Sequence, residues 1–323
     1  MNSAAKKYFS LSVKAAILIL AFAFIFYKLN DNRNLEEFVR LTRSIPSVRV
    51  ISVLVLVFLL MLVNWYLEAL KWKYLVYRVE KITIRKAVES VFCGLTWAVF
   101  TPNRIGEYGG RVFFLSPRRR ILGVVAMAVG SVGQMVITNM VGSVAILWFI
   151  WRFLDLEFWV NYALLVLVAV YCVFFFMLYF NIHVIYNLVV RNRFLRRFQR
   201  FFQVLARYRT AELWKVFSYS LARYVVFTSQ YCILIYLLLP ELAVPEVCMM
   251  TFILFFIQSA MPSLDLLDVG VRSMTATYFF GYITGQEVAI MAVTAGIWLV
   301  NLIIPAILGA GFVLKLNFFG TRN

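Results

Sequence analysis

Six ionisable side chains stand in two short polar stretches of an otherwise apolar chain. The first stretch reads Thr101-Pro102-Asn103-Arg104-Ile105-Gly106-Glu107-Tyr108-Gly109-Gly110-Arg111, and the second Met261-Pro262-Ser263-Leu264-Asp265-Leu266-Leu267-Asp268-Val269-Gly270-Val271-Arg272. Arginine forks hold phosphate oxygens bidentately, and half-helix ends and loop N–H groups favour the same anion. Arg104, Arg111 and Arg272 therefore suit a phosphate. Glu107 and Asp268, with Asp265 close by, suit a cationic headgroup group or a coupling proton. The competing reading is internal pairing, Glu107 with an arginine and Asp268 with Arg272, which would pin each stretch in place. Buried charges are paired somewhere, so either reading fits any one residue. The organised set of six favours a polar site.

The two stretches resemble one another. Pro102…Glu107-x-Gly109-x-Arg111 matches Pro262…Asp268-x-Gly270-x-Arg272 at an offset of about 160 residues, half the chain. Pro102, Gly106, Gly109, Pro262 and Gly270 form the backbone part of the motif. A match at this spacing reads as an internal repeat.

The elements that must position these residues follow from composition. The chain has 323 residues, 63% hydrophobic and 15% charged, with a mean hydropathy of +0.85. A soluble domain is about half apolar and about a quarter charged. A soluble enzyme, a disordered chain and a disulfide scaffold are excluded. Roughly 20 apolar residues cross a bilayer core. Six segments are long enough, at about 11–29, 50–70, 121–150, 159–180, 212–239 and 287–314. The first follows Lys6, Lys7 and Lys14 and lacks an A-x-A-like cleavage site, so it reads as an uncleaved transmembrane helix. Two shorter apolar segments, Ile84 to Phe100 and Val247 to Ala260, each run into one of the proline stretches. The expected fold is an all-α polytopic membrane protein of about six full crossings plus two re-entrant, broken-helix hairpins. One transmembrane domain covers 1–323, with repeats at roughly 50–150 and 212–314.

Charge sets the orientation. Lys and Arg number 32 against 15 Asp and Glu, a net +17. The basic residues cluster in short loops, so anionic lipid headgroups at the cytoplasmic face are the expected partner, and nucleic acid is not. Basic clusters at 71–86 and 118–120 flank the first hairpin and place both its ends inside. The loop at 181–211 falls inside, the loop around Glu241 and Glu246 outside, and both termini inside. Residues 28–49 are the awkward case, a basic loop that must lie outside. Three crossings separate the hairpins, so they enter from opposite faces as an inverted repeat, the arrangement secondary transporters use around a central site. Residues 182–211 carry Phe194, Leu195, Phe198, Phe201, Phe202, Leu205 and Tyr208 at helical spacing among arginines. They read as an amphipathic helix on the cytoplasmic leaflet.

Other crossings add polar groups. Asn64, Glu68 and Lys71 share a face of the second crossing. There Lys71 and Trp72 read as interface anchors, and Glu68 as a partner of Lys71 or a site residue. Ser131, Gln134 and Thr138 form a stripe on the next helix beside Gly130, Gly133 and Gly142. That stripe reads as small-residue packing or as a path lining. Arg223 lies deep in its segment, and either snorkels or lines the path. Thr294, Trp298, Asn301 and Pro305 share a face of the last crossing, where Pro305 is expected to kink the helix. Cys93, Cys172, Cys232 and Cys248 lie scattered in apolar surroundings, with no two at metal-ligand spacing, and read as small core residues. His183 reads as interfacial. No metal, cofactor or catalytic residue is expected.

Leu67-Glu68-Ala69-Leu70-Lys71-Trp72, followed by Pro102-Asn103-Arg104-Ile105-Gly106-Glu107, resembles the lysylphosphatidylglycerol synthase/flippase transmembrane-domain family. Its members show an A-L-[RK]-W element and then a P-x-R-x-G-E element. The resemblance spans nearly the whole chain and implies a lipid-flippase-like membrane fold. Pro102, Arg104, Gly106 and Glu107 match the first motif, and Arg111 closes it one step late. The second motif departs: family members often carry a Gly-Gly-x-Gly run ending in Glu. A changed site implies a changed headgroup. Some members carry a fused aminoacyl-transferase domain. This chain ends just past its last crossing, so synthase activity is not expected.

The function expected is a transporter in the bacterial inner membrane. It would move a polar-headgroup lipid (a phospholipid, aminoacyl-phospholipid or lipid-linked precursor) by alternating access. Glu68, Gln134 and Arg223 would join the six motif charges around the substrate. The alternatives are a small-solute transporter of the same architecture, or a non-catalytic membrane subunit of a cell-envelope or glycolipid enzyme.

Overall fold

A computed structural model describes residues 32–99, 101, 104–181, 191, 199, 208–261 and 269–313. The described residues form helices and no strand. An amphipathic helix α1 (Asn32–Ser44) leads into α2 (Ser47–Val76), α3 (Ile84–Val99) and α4 (Ile105–Val112). A 3-10 turn at Pro117–Arg119 opens α5 (Arg120–Phe153), followed by α6 (Phe158–Phe180) and α7 (Thr210–Leu238). The chain continues as α8 (Val244–Ala260), α9 (Val269–Phe280) and α10 (Glu287–Trp298), then a π turn (Leu299–Ile303) and α11 (Ile304–Val313).

Five spans are long and apolar enough to cross a membrane: α2, the 3-10 turn with α5, α6, α7, and the 287–312 run. They fall on five of the six expected crossings, and the chain is an all-α polytopic membrane protein. The remaining expected crossing, 11–29, lies outside the described residues, as does most of the amphipathic stretch at 182–211. The last part of that stretch differs from expectation. Tyr208 is buried, its hydroxyl donating to the Leu75 carbonyl at 2.7 Å, and α7 starts at Thr210.

Burial sorts the helices. Of the residues of α6 only Tyr179 is buried, so this helix stands at the periphery with its apolar surface turned to lipid. On α2, Ile51, Leu54, Val55, Leu59 and Leu62 are exposed, while Val57, Met61, Asn64, Trp65, Glu68, Lys71 and Trp72 are buried. The spacing of the buried set gives a helix with a lipid face and an inner face. The inner face lies along α7.

At 16 residues, α3 is too short to cross alone, since about 20 are needed. It begins under a cap, where the Thr83 hydroxyl accepts the Lys86 N–H at 3.2 Å. It stops before Pro102, which has no N–H to continue the ladder. Thr101 stitches the break: its hydroxyl donates to the Trp97 carbonyl at 3.0 Å and accepts the Gly106 N–H at 2.7 Å. The chain then turns back, with α4 packed on α3. A Cβ added at Gly110 would lie 2.6 Å from the Gly94 Cα, so the pair of glycines permits this contact. Gly109 differs: a Cβ there would meet only the Phe113 ring, at 3.9 Å. Further along the chain, α8 and α9 are helices of 17 and 12 residues packed against each other.

The expected kink at Pro305 takes the form of the π turn just before it. Proline clashes with the carbonyl four residues back, here that of Asn301, and a widened turn accommodates it. Glu80 ties two loops together. It accepts the Ser116 N–H at 3.0 Å and the Ser116 hydroxyl, and lies 3.7 Å from Lys86 Nζ. Burial raises this carboxyl, but the Ser116 bonds, Lys86 and Arg119 outweigh it and hold it below the usual carboxylate range.

Candidate functional site

The inner face of α2 presents Asn64, Trp65, Glu68 and Lys71 to a cavity of about 700 Å³. The opposite walls come from α4, α5, α7, α8, α9 and the α10–π-turn segment. Ionisable groups so placed must be neutralised by neighbours or by a ligand.

Glu68 is the hub. Its Oε1 accepts from Arg111 Nη1 at 2.6 Å, and its Oε2 pairs with Lys71 Nζ at 2.8 Å and with Arg223 Nη1. One carboxylate thus joins α2, α4 and α7. Arg223 also donates through Nε to Asn64 Oδ1 at 3.0 Å and lies over the Trp65 ring, 5.1 Å from its centroid. Arg223 does not snorkel. Lys71 and Trp72 are not interface anchors either, since both are buried at 3% and 1% exposure. The i, i+3 spacing turns Lys71 back onto Glu68, and Ser220 on α7 sits 3.5 Å from its Nζ.

A second carboxylate, Glu107, pairs with Arg111 Nη2 and with Arg104 Nε at 3.1 Å. Arg104 caps α4 with φ +57°, the one positive φ at a non-glycine among the described residues. A residue with a Cβ costs roughly 1–2 kcal/mol there. The arrangement places its half-exposed guanidinium at the cavity wall, above Glu107 in the chain. Arg111 is different. It is 1% exposed and is held by both carboxylates, so it braces α4 against α2 from behind the cavity lining. On the far wall Arg272 Nη1 donates to Gln258 Oε1 at 2.9 Å.

Among the described residues the set therefore holds five cations (Lys71, Arg104, Arg111, Arg223 and Arg272) and two carboxylates. Around them, Gln134 Oε1, Tyr224 Oη, Gln258 Nε2 and Asn301 Oδ1 are buried without a hydrogen-bond partner. The cavity offers a cationic excess for an anion and a mixed rim of donors and acceptors for polar substituents.

The expected site residues thus divide. Glu68, Arg104, Glu107, Gln134, Arg223 and Arg272 line one cavity, and Arg111 stands behind it. Asp265, Asp268, Pro102 and Pro262 lie outside the described residues. Gly270 is buried at the start of α9. The α5 stripe splits by face. Ser131, Gln134 and Thr138 line the cavity, with Ser131 accepting from the Tyr108 hydroxyl at 3.0 Å, while Asn139 takes the Tyr171 hydroxyl of α6 at 2.9 Å. Gly133 packs on Tyr179 and Gly142 on Phe256. Gln258 and Tyr224 did not stand out in the sequence. The signal for Gln258 was a single amide in an apolar helix, four residues before the second proline. The cysteines carry no chemistry of the site, although Cys232 and Cys248 come within 3.4 Å between α7 and α8. No cluster of His, Cys, Asp and Glu able to hold a metal occurs among the described residues.

Apolar helices closing around a charged cavity define a multi-pass membrane protein with an internal polar site. Residues 11–309 match the family described as the lysylphosphatidylglycerol synthase TM region, and the chain belongs to that family. No curated protein and no solved structure matches the chain.

Proposed function

We propose that the protein is a flippase-like transporter of a polar-headgroup phospholipid in the bacterial inner membrane, not an enzyme. The carrying observation is the cavity of about 700 Å³ with its cationic excess among the described residues, enclosed by helices whose outer faces are apolar. Arg104, Arg223 and Arg272 hold the headgroup phosphate as forks. Gln134, Tyr224, Gln258 and Asn301 take up its polar substituents. Glu68 and Glu107 set the geometry of the arginines, and Arg111 braces them.

The α3–α4 and α8–α9 hairpins are the two moving halves. Both break at a proline stretch, and each brings an arginine, Arg104 or Arg272, to the cavity. Their sequence likeness supports an inverted repeat, entering the membrane from opposite faces. The basic loops support a topology with both termini and the α2–α3 loop in the cytoplasm.

Proteoliposomes test the reading. A fluorescent phosphatidylglycerol in the inner leaflet becomes accessible to an external quencher faster in vesicles holding the protein than in empty ones, and faster than phosphatidylcholine does. Equal rates with and without protein would refute lipid transport. An unchanged rate in a Glu107→Gln, Arg272→Gln double variant would refute the assignment of roles.

A further inference from the structure

A second concavity lies outside the charged cavity. Its walls are Leu62, Val63 and Tyr66 of α2, Val88 and Phe92 of α3, and Leu308 and Phe312 of α11. It has a volume of about 560 Å³, and the Tyr66 hydroxyl is the one polar side-chain group among the described residues of its lining. Leu62, Val63, Tyr66 and Leu308 are exposed, so the groove opens on the bundle's outer face, where α2 meets lipid. Glu68 and Asn64 face the opposite way, into the cavity.

The groove does not end in apolar surface. Tyr66, Val88 and Phe312 also line an adjoining hollow of about 380 Å³, whose other walls are Ile84, Arg85 and Glu89. The Arg85 side chain is 84% exposed, and its Nε is 3.1 Å from Glu89 Oε1. The pair uses one edge of the guanidinium, and the terminal nitrogens can take a second acceptor. Arg85 stands at the start of α3, beside Lys81 and Lys86 in a basic loop, the level at which headgroups lie. An apolar slot about one helical turn long, opening on a hollow with an exposed arginine, complements the tail and head of an amphiphile with an anionic head.

We propose that this groove is a retained phospholipid site, separate from the cavity, holding an acyl chain against Leu62, Phe92 and Leu308 and an anionic phosphodiester at Arg85. Tyr66, amphipathic and placed where slot meets hollow, marks the boundary between tail and head. The occupant fills a seam left open among the described residues of α2, α3 and α11. The proposal does not rest on transport.

The full chain is reconstituted in vesicles of equal phosphatidylglycerol and phosphatidylcholine, extracted in mild detergent, and the phospholipid retained per chain is counted by mass spectrometry. Leu308→Trp fills the slot, and Arg85→Gln removes the charge. Val166→Trp, on the lipid face of α6, is the control for a bulky surface side chain. The expected result is that wild type and Val166→Trp retain about one phosphatidylglycerol more per chain than Leu308→Trp and Arg85→Gln, with all four eluting as the same folded species in gel filtration. Arg223→Gln, which alters only the cavity, keeps this lipid, so failure of the transport reading and failure here are distinguishable. Equal retention in wild type and Leu308→Trp would overturn the site. So would a lipid lost in Leu308→Trp but kept unselectively in Arg85→Gln, since the headgroup contact would then be absent.

Discussion

Arg111 and Arg104 carry the same charge and sit seven residues apart, yet their surroundings give them different work. Arg111 is enclosed and shared by Glu68 and Glu107, so its removal leaves two buried carboxylates short of a cation. Breaking a buried pair in this way costs about 3–5 kcal/mol. Arg111→Met is therefore expected to lower the melting temperature strongly in detergent, and an unchanged melting curve would show that the brace is not one. Arg104 is half exposed and held in a left-handed conformation. Asparagine tolerates that conformation well, so Arg104→Asn is expected to fold as well as wild type while removing a cavity cation. The charged residues themselves were legible in the sequence because ionisable groups in apolar helices need a reason to be there. Their pairing was not. Glu68 and Arg223 lie 155 residues apart, and nothing in either segment says that they meet. Lys71 was misread for the same reason: a lysine near the end of an apolar run anchors at an interface unless a neighbouring helix covers it, and α7 does.

At the scale of elements, the α3–α4 hairpin turns on close approach. Gly110 faces Gly94 across the helix pair, whereas Gly109 has room beside it. Gly110→Ala is expected to destabilise the protein by about 1–3 kcal/mol through overpacking. Gly109→Ala is expected to be neutral or stabilising by up to about 1 kcal/mol, as alanine favours helix over glycine. Thermal melts of the two variants side by side check this, and equal losses would contradict the packing described. The break itself was readable, because Pro102 and Pro262 stop apolar helices too short to cross. That glycines 109 and 110 differ was not, since a repeat pattern records spacing and not which residue faces the partner helix. Proline in the last crossing was likewise a sound signal of distortion, but the sequence gives no reason to prefer a π turn over a bend.

For the whole molecule, hydropathy alone located the described spans, because each lipid-facing helix must be apolar along about 30 Å whatever its neighbours are. Charge bias supports the proposed orientation. In spheroplasts, a cysteine at Glu241 is expected to react with a membrane-impermeant maleimide from outside, and one at Arg118 only after permeabilisation. The reverse pattern would invert the topology. What hydropathy could not show is that seven walls turn polar residues to one cavity, since that depends on the rotation of each helix about its axis.

The central claim is that this cavity holds the headgroup of a moving lipid. The most direct test is the translocation rate of fluorescent phosphatidylglycerol in proteoliposomes bearing wild type or Arg104→Asn. A charged hydrogen bond is worth about 1.5–3 kcal/mol, so the variant is expected to slow translocation by roughly ten- to a hundredfold with its melting temperature unchanged. A folded Arg104→Asn protein that moves the lipid at the wild-type rate would contradict the account.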